Sequence, residues 1–236
     1  MKIDDFPTPL LAFSLSRMTG LASIPREQTV SDVSWEVVVI GAGAAGLMAT
    51  IRAAERGRRT LVLEKNRKPG VKILMSGGTR CNITQATDNC GIVAAYGPSG
   101  QFLHSALAAF SVQQTIDFFE AEGVATKVEE TGKIFPVSNK ASDVLHALLR
   151  RMQRSGAVLA LGEPVTEISP FSLFPSEQYA EPGYILSTPL RALNASKVIL
   201  TTGGQSYPGS APPATATASP RGSAIALSRR VRPLSR

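Results

Sequence analysis

The chain is poor in the residues that most often announce chemistry. Its 236 residues include two cysteines, two histidines and one tryptophan. Cys81 and Cys90 stand nine apart, which builds neither a disulfide framework nor a Cys-x-x-Cys redox or zinc motif, so a reducing cytoplasm is the expected compartment. His104 and His146 fall in helical patterns with no His, Cys or acid at metal-ligand spacing, so no metal site is expected. No Gly-x-Ser-x-Gly elbow, His-Glu-x-x-His pair or phosphate-loop motif occurs. Long apolar runs are also missing. Residues 37–51 are mostly apolar, but they hold three glycines and end against Arg52, Glu55, Arg56 and Arg58, too short a run to cross a bilayer. The apolar run at 9–15 follows Asp4 and Asp5, the wrong charge for a signal peptide. Residues 1–35 are therefore expected to be a disordered extension or the product of a misplaced start.

Acidic residues are missing from the tail. The chain carries 25 Lys+Arg against 18 Asp+Glu, a net charge of +7. Residues 209–236 hold five arginines and no acid, and the remainder carries 20 basic against 18 acidic residues. The basic balance is thus mostly a property of the tail. With no basic stripe interleaved with aromatics, no nucleic-acid partner is expected. A hydrophobic fraction of 43 % is enough for one sizeable core or two small ones and excludes a wholly disordered chain.

The strongest positive signal is local. Residues 35–40 are a β-branched run with the composition of a buried strand, ending on Gly41-Ala42-Gly43-Ala44-Ala45-Gly46. A helical segment follows over 47–56, stopped by Gly57, and then a second strand over 60–63 ends on Glu64. Each part suits a dinucleotide. Gly41 permits the tight turn, Gly43 lets a pyrophosphate approach the backbone, and Gly46 lets the helix pack closely. The N–H groups at the helix start, around Ala44 and Ala45, point at the phosphates. Glu64, 18 residues after Gly46, can accept from ribose hydroxyls and would repel a 2′-phosphate, so FAD or NAD fits better than NADP. An NAD dehydrogenase would continue with further strand–helix units. Here residues 65–84 are a polar, glycine-rich loop instead, which suits a long cofactor lying across it.

The runs GAGAAG, LEKNRKPGVKILMSGGTRCNIT, GKIFPVSNKASDV and TTGGQSYP resemble a family of bacterial NAD(P)/FAD-dependent oxidoreductases described as BaiN-like or aminoacetone-oxidase-like. The resemblance covers about residues 36–208. Its most specific part lies around Ser76-Gly77-Gly78 and Arg80-Cys81-Asn82, with Thr79 where the family more often has glycine. It implies an α/β fold of the two-dinucleotide-binding, Rossmann-like kind holding FAD non-covalently. On that carry-over Gly41, Gly43, Gly46 and Glu64 hold the ADP half. Lys65, Ser76, Gly77 and Gly78 lie near ribose, pyrophosphate or flavin, and the backbone near Val165 meets the adenine. Thr201-Thr202-Gly203-Gly204 is similar to the second glycine turn of such proteins. By family position Cys81 lies near the flavin, but a small packed thiol is the expected role. Because flavin carries the redox chemistry itself, no catalytic residue is named. The expected substrate is a small molecule, with NAD(P)H as redox partner. Alternatives are an NAD-only dehydrogenase or a degenerate, non-catalytic dinucleotide-binding fragment.

The rest of the chain supplies elements for that fold. Helices are expected over 101–119 and 141–153, and strands over 132–136, 158–161, 165–168, 184–187 and 197–200. The FAD-binding portion is therefore placed at 36–208. After Pro208 the composition changes abruptly. Reading Ser210 onward with each codon begun one base earlier permits Leu-Gly-Thr-Thr-Gly-Asp-Gly-Tyr, the run expected next in the family. Residues 209–236 are accordingly expected to be frameshifted, the chain to be an N-terminal portion, and the fold to be truncated and a poor holder of FAD.

Overall fold

A computed structural model describes residues 30–171, 183–204 and 226–227. The elements run β1 (Val30–Ile40), α1 (Ala44–Glu55), β2 (Thr60–Glu64), α2 (Val71–Met75), β3 (Thr84–Gln85) and α3 (Asn89–Ala95). A 3-10 helix (Gly97–Leu103), α4 (His104–Ala109), α5 (Val112–Ala121), β4 (Thr126–Val128), β5 (Lys133–Pro136) and α6 (Ala141–Arg154) follow. The chain then forms β6 (Val158–Leu161), β7 (Glu167–Phe171), β8 (Gly183–Ser187), β9 (Ala192–Leu200) and β10 (Ala226–Leu227).

Seven strands form one mixed sheet in the order β10-β7-β8-β9-β1-β2-β6. The four strands β9, β1, β2 and β6 are parallel, while β7, β8 and β9 form an antiparallel meander. Residues 37–40 of β1 are apolar at every position because both faces of the strand are covered there. Val37 and Val39 join Leu47 and Ile51 of α1 and Val144, Leu145 and Leu148 of α6 in one core. Val38 and Ile40 point the other way, into a second core with Leu61, Leu63, Ile168, Leu186 and Leu193. The period of two along β1 thus serves two layers at once. Helix α6 is amphipathic: Val144, Leu145, Leu148, Leu149 and Met152 are buried, and Arg150 and Arg154 are exposed. A small antiparallel sheet, β3-β5-β4, stands apart and carries the loop after α2.

The mixed α/β fold with its parallel core is the expected one, and several local expectations change. The first strand begins at Val30, five residues ahead of the expected start; residues 1–29 lie outside those described. The expected single helix over 101–119 is broken. Ser111 forms a capping box with Gln114, accepting from its N–H at 3.2 Å while the Gln114 side chain accepts from the Ser111 N–H at 2.8 Å. That local bonding starts a new helix, α5. The loop at 65–84 contains the short helix α2, entered through Gly70 in the left-handed region (φ 65°). Val165 lies in the loop before β7 rather than within a strand, because the pairing with β8 starts at Glu167. The expected frameshifted tail falls almost wholly outside the described residues, which there comprise only β10, paired in parallel with β7.

Candidate dinucleotide site

The site forms at the carboxyl ends of β1, β2 and β9. Three glycines shape it in different ways. Gly41 has φ 104°, a conformation L side chains rarely adopt, and a Cβ there would lie 2.7 Å from the Thr201 carbonyl oxygen. Gly46, in the first turn of α1, leaves even less room: its Cβ would lie 1.7 Å from the Gly41 carbonyl oxygen and 2.7 Å from Thr201 Oγ1. A Cβ on Gly43 would meet nothing within 4 Å. Packing therefore demands Gly41 and Gly46, whereas the space over Gly43 is left for something outside the protein. Helix α1 starts at this point with no side-chain cap on Gly43 and no acid in its first turn. Ala44 and Ala45 are exposed there. Its first N–H groups and positive dipole end thus face an open cradle suited to a pyrophosphate.

Glu64 closes the turn from β2. Its Oε2 accepts from the Ala42 N–H at 2.8 Å, and Oε1 accepts from the Asn66 N–H at 2.9 Å and from Asn66 Nδ2 at 2.7 Å. The carboxylate is buried, yet Oε2 carries a single hydrogen bond and keeps a lone pair for a hydroxyl. Ala42 in turn accepts from the Gly70 N–H at 2.8 Å, which draws the segment after β2 across the glycine turn. The adenine-side loop is tied to the same place. Glu163 N–H donates to the Glu64 carbonyl (3.0 Å), and Gly162 N–H donates to the Asn66 carbonyl (3.0 Å). Val165 follows, with its side chain packed against the second core. Buried Glu163 is held by Arg191 through two 2.8 Å bonds and by Thr188 Oγ1 at 3.1 Å. Hydrogen bonding to Glu163 raises the Arg191 pKa further above its ordinary value, against the effect of burial.

The fold brings together Gly41, Gly43, Ala44, Ala45, Gly46 and Glu64, with the loop holding Val165 beside them. Lys65 follows Glu64 and is exposed. The second glycine segment lies alongside, since a Cβ on Gly203 would stand 3.5 Å from Lys72 Nζ. Ser76 does not open outward; its hydroxyl donates to the Ile73 carbonyl at 2.8 Å. Gly77 and Gly78 have φ 55° and 66°, and Thr79 and Cys81, at 69° and 63°, share the left-handed region. Gly77 is packed, with Phe135 Cε1 at 2.8 Å from its Cβ position, whereas Gly78 opens on nothing within 4 Å. The Arg80 guanidinium stacks 4.1 Å from the Phe135 ring centroid and pairs with Glu129 at 2.5 Å. Burial pushes the Cys81 thiol up, partly offset by a hydrogen bond with Ser76, so it is a poor nucleophile. Thr201, which the sequence places at the start of the second glycine turn, has a bracing role that no local pattern marks. Its Oγ1 donates to the Ile40 carbonyl (2.8 Å) and lies 2.9 Å from that of Gly41, pinning β9 to the end of β1. Asn66 and the Glu163–Arg191 pair were missed too, and no sequence pattern marks them.

A groove of about 750 Å³ is lined by Asp88, Cys90, Ser111, Ile116 and Val128 among others, and none of the site residues takes part in it. Among the described residues no group of three His, Cys, Asp or Glu could hold a metal, and no helix is long and apolar enough to cross a membrane.

The chain belongs to the family described as HI0933-like protein Rossmann domain, whose model matches residues 35–227. Across 74 % of its length it is 31 % identical to the ribosomal RNA dihydrouridine synthase of Escherichia coli and 28 % identical to that of Haemophilus influenzae. It spans 41 % of the length of each of these curated relatives. Among solved structures, 3-ketosteroid-Δ4-(5α)-dehydrogenase from Rhodococcus jostii RHA1 shares the fold, with a TM-score of 0.51 and 18 % identity, over 75 % of this chain and 47 % of that one. FAD is the cofactor of this family, and the open cradle over Gly43 with the acceptor Glu64 beside it fits its ADP half. Bound FAD supplies a ring that takes and gives up hydride.

Proposed function

We propose that this chain is the FAD-binding portion of a flavin-dependent reductase whose substrate is uridine in RNA. The observation that carries the reading is the 31 % identity to the Escherichia coli ribosomal RNA dihydrouridine synthase, over 175 residues. Forming dihydrouridine adds two hydrogens across the carbon–carbon double bond of the uracil ring. That reaction needs one hydride and one proton and therefore an external reductant, for which NAD(P)H is the proposed source. The Gly43 cradle and Glu64 support FAD as the hydride carrier. The BaiN-like likeness supports the same flavin chemistry. The cytoplasm, where NAD(P)H and RNA both occur, is the proposed compartment.

The test begins with a visible spectrum of the purified chain reconstituted with FAD. Bound flavin absorbs in the visible region, which an NAD-only dehydrogenase does not. Loss of that absorbance on adding NADH or NADPH identifies the reductant. The RNA reading then requires a mass gain of two hydrogens in uridine nucleosides digested from ribosomal RNA after incubation with the reduced protein. A flavin that NAD(P)H reduces but that never modifies RNA would point back to a small-molecule substrate.

A further inference from the structure

We propose that Arg67, Lys68 and Lys72 form a docking lip for an RNA phosphate backbone, at the carboxyl end of the sheet, beside the dinucleotide turn. The proposal deepens the RNA reading and rests on it. Between Glu64 and Asp88 the chain holds Lys65, Arg67, Lys68, Lys72 and Arg80 and not one acid. Whole-chain composition hides this run, because the rest of residues 1–208 is correspondingly richer in acids.

Placement makes the run a surface. Arg67, Lys68 and Lys72 are all exposed. The hydrogen bond from Gly70 to Ala42 and the approach of Lys72 Nζ to Gly203 set them at the carboxyl ends of β1, β2 and β9. Most of the other described arginines are neutralised. Arg52, Arg58, Arg80, Arg151, Arg154 and Arg191 each pair with a carboxylate. Arg67, Lys68 and Lys72 pair with none among the described residues. The nearest acid in the chain, Glu64, is buried and spends its oxygens on Ala42 and Asn66. Three unpaired cations beside a redox site create a positive field that attracts a polyanion. No aromatic residue occurs between 65 and 87, so the lip would position the backbone without reading bases.

The experiment uses the full chain loaded with FAD and fluorescein-labelled poly(U) RNA, titrated over a salt series. The proteins are wild type, Arg67→Glu/Lys68→Glu, Lys72→Glu and, as control, Arg56→Glu, an exposed arginine at the far end of α1. The double variant should bind RNA at least about ten-fold more weakly, and its slope of log affinity against log salt should shrink by about 1.4, or 0.7 per lost contact. Lys72→Glu should act in the same direction and Arg56→Glu should change little. FAD affinity of the double variant, read by flavin fluorescence, should stay at the wild-type level. Arg67→Gln/Lys68→Gln, giving a smaller loss in the same direction, separates charge from misfolding. The lip is overturned if wild type binds RNA and the double variant binds it equally well, an outcome that leaves the RNA-substrate reading standing. It is also overturned if Arg56→Glu costs as much, or if FAD affinity falls while RNA affinity does not. If wild type fails to bind poly(U), the lip and the RNA-substrate reading fall together.

Discussion

A Cβ on Gly46 would lie 1.7 Å from the carbonyl oxygen of Gly41, so the helix start and the strand end are in contact with no room for a side chain between them. Gly46→Ala must therefore push α1 away from β1. The expected cost is about 3 kcal/mol, the upper end for overpacking a dense region, together with loss of FAD binding. Urea denaturation and flavin fluorescence titration measure the two. A variant as stable as wild type would show that the turn yields more easily than its geometry indicates.

Gly43→Ala should behave in the opposite way. The added methyl group meets nothing in the protein, and the backbone at φ −81° accepts alanine. Stability should change by less than about 1 kcal/mol, since the loss of a glycine N-cap and the gain in chain stiffness are both small. FAD affinity should nevertheless fall at least about ten-fold, or roughly 1.4 kcal/mol, if the cradle holds the pyrophosphate. Unchanged affinity would place the phosphates elsewhere.

Glu64→Gln should weaken both fold and site. The carboxylate accepts from Ala42 and Asn66 at once, and an amide must turn an NH2 toward one of those donors. A buried donor left unmatched costs about 1–3 kcal/mol. The melting temperature without FAD reads the first effect, and the extra stabilisation on adding FAD reads the second.

The Glu122 carboxylate predicts an acid-sensitive joint between α5 and α6. Burial pushes its pKa up, but Arg154, at 2.5 and 2.7 Å, and Arg151, at 3.2 Å, outweigh that and leave it below the ordinary value of 4.5. A lowered folded-state pKa adds stability above the unfolded value, and that stability is lost as pH falls through the folded value. The melting-temperature gap between wild type and Glu122→Gln should be constant near neutrality and close progressively below pH 4.5. A gap independent of pH would assign the difference to packing.

Thr79→Gly should stabilise the protein. Thr79 sits at φ 69°, where a β-branched residue is strained by about 1–2 kcal/mol, partly offset by the greater freedom of glycine in the unfolded chain. A net gain of about 0.5–1 kcal/mol is expected in denaturant melts. A loss would mean that the Thr79 side chain makes contacts worth more than the strain.

Much of this protein was legible before any coordinates. The β-branched run ending in GAGAAG, the helix stopped by Gly57 and the acid ending β2 each follow from local chemistry: apolar period, glycine conformational freedom and helix-end dipoles. Local rules also located Gly46 and Gly43 and gave each its own task. They failed where a short-range competitor acted, as at Ser111, whose capping box splits an otherwise helical stretch. They failed again where partners are far apart in sequence. Thr201 reaches Ile40 across 161 positions, and Arg191 reaches Glu163 across 28. Charge shows the same division. Composition summed over the chain placed the basic excess in the tail. Only the folded arrangement shows which arginines are neutralised by carboxylates and which cations of the 65–87 run stand unpaired beside the site, because pairing depends on distance in space and not on order along the chain.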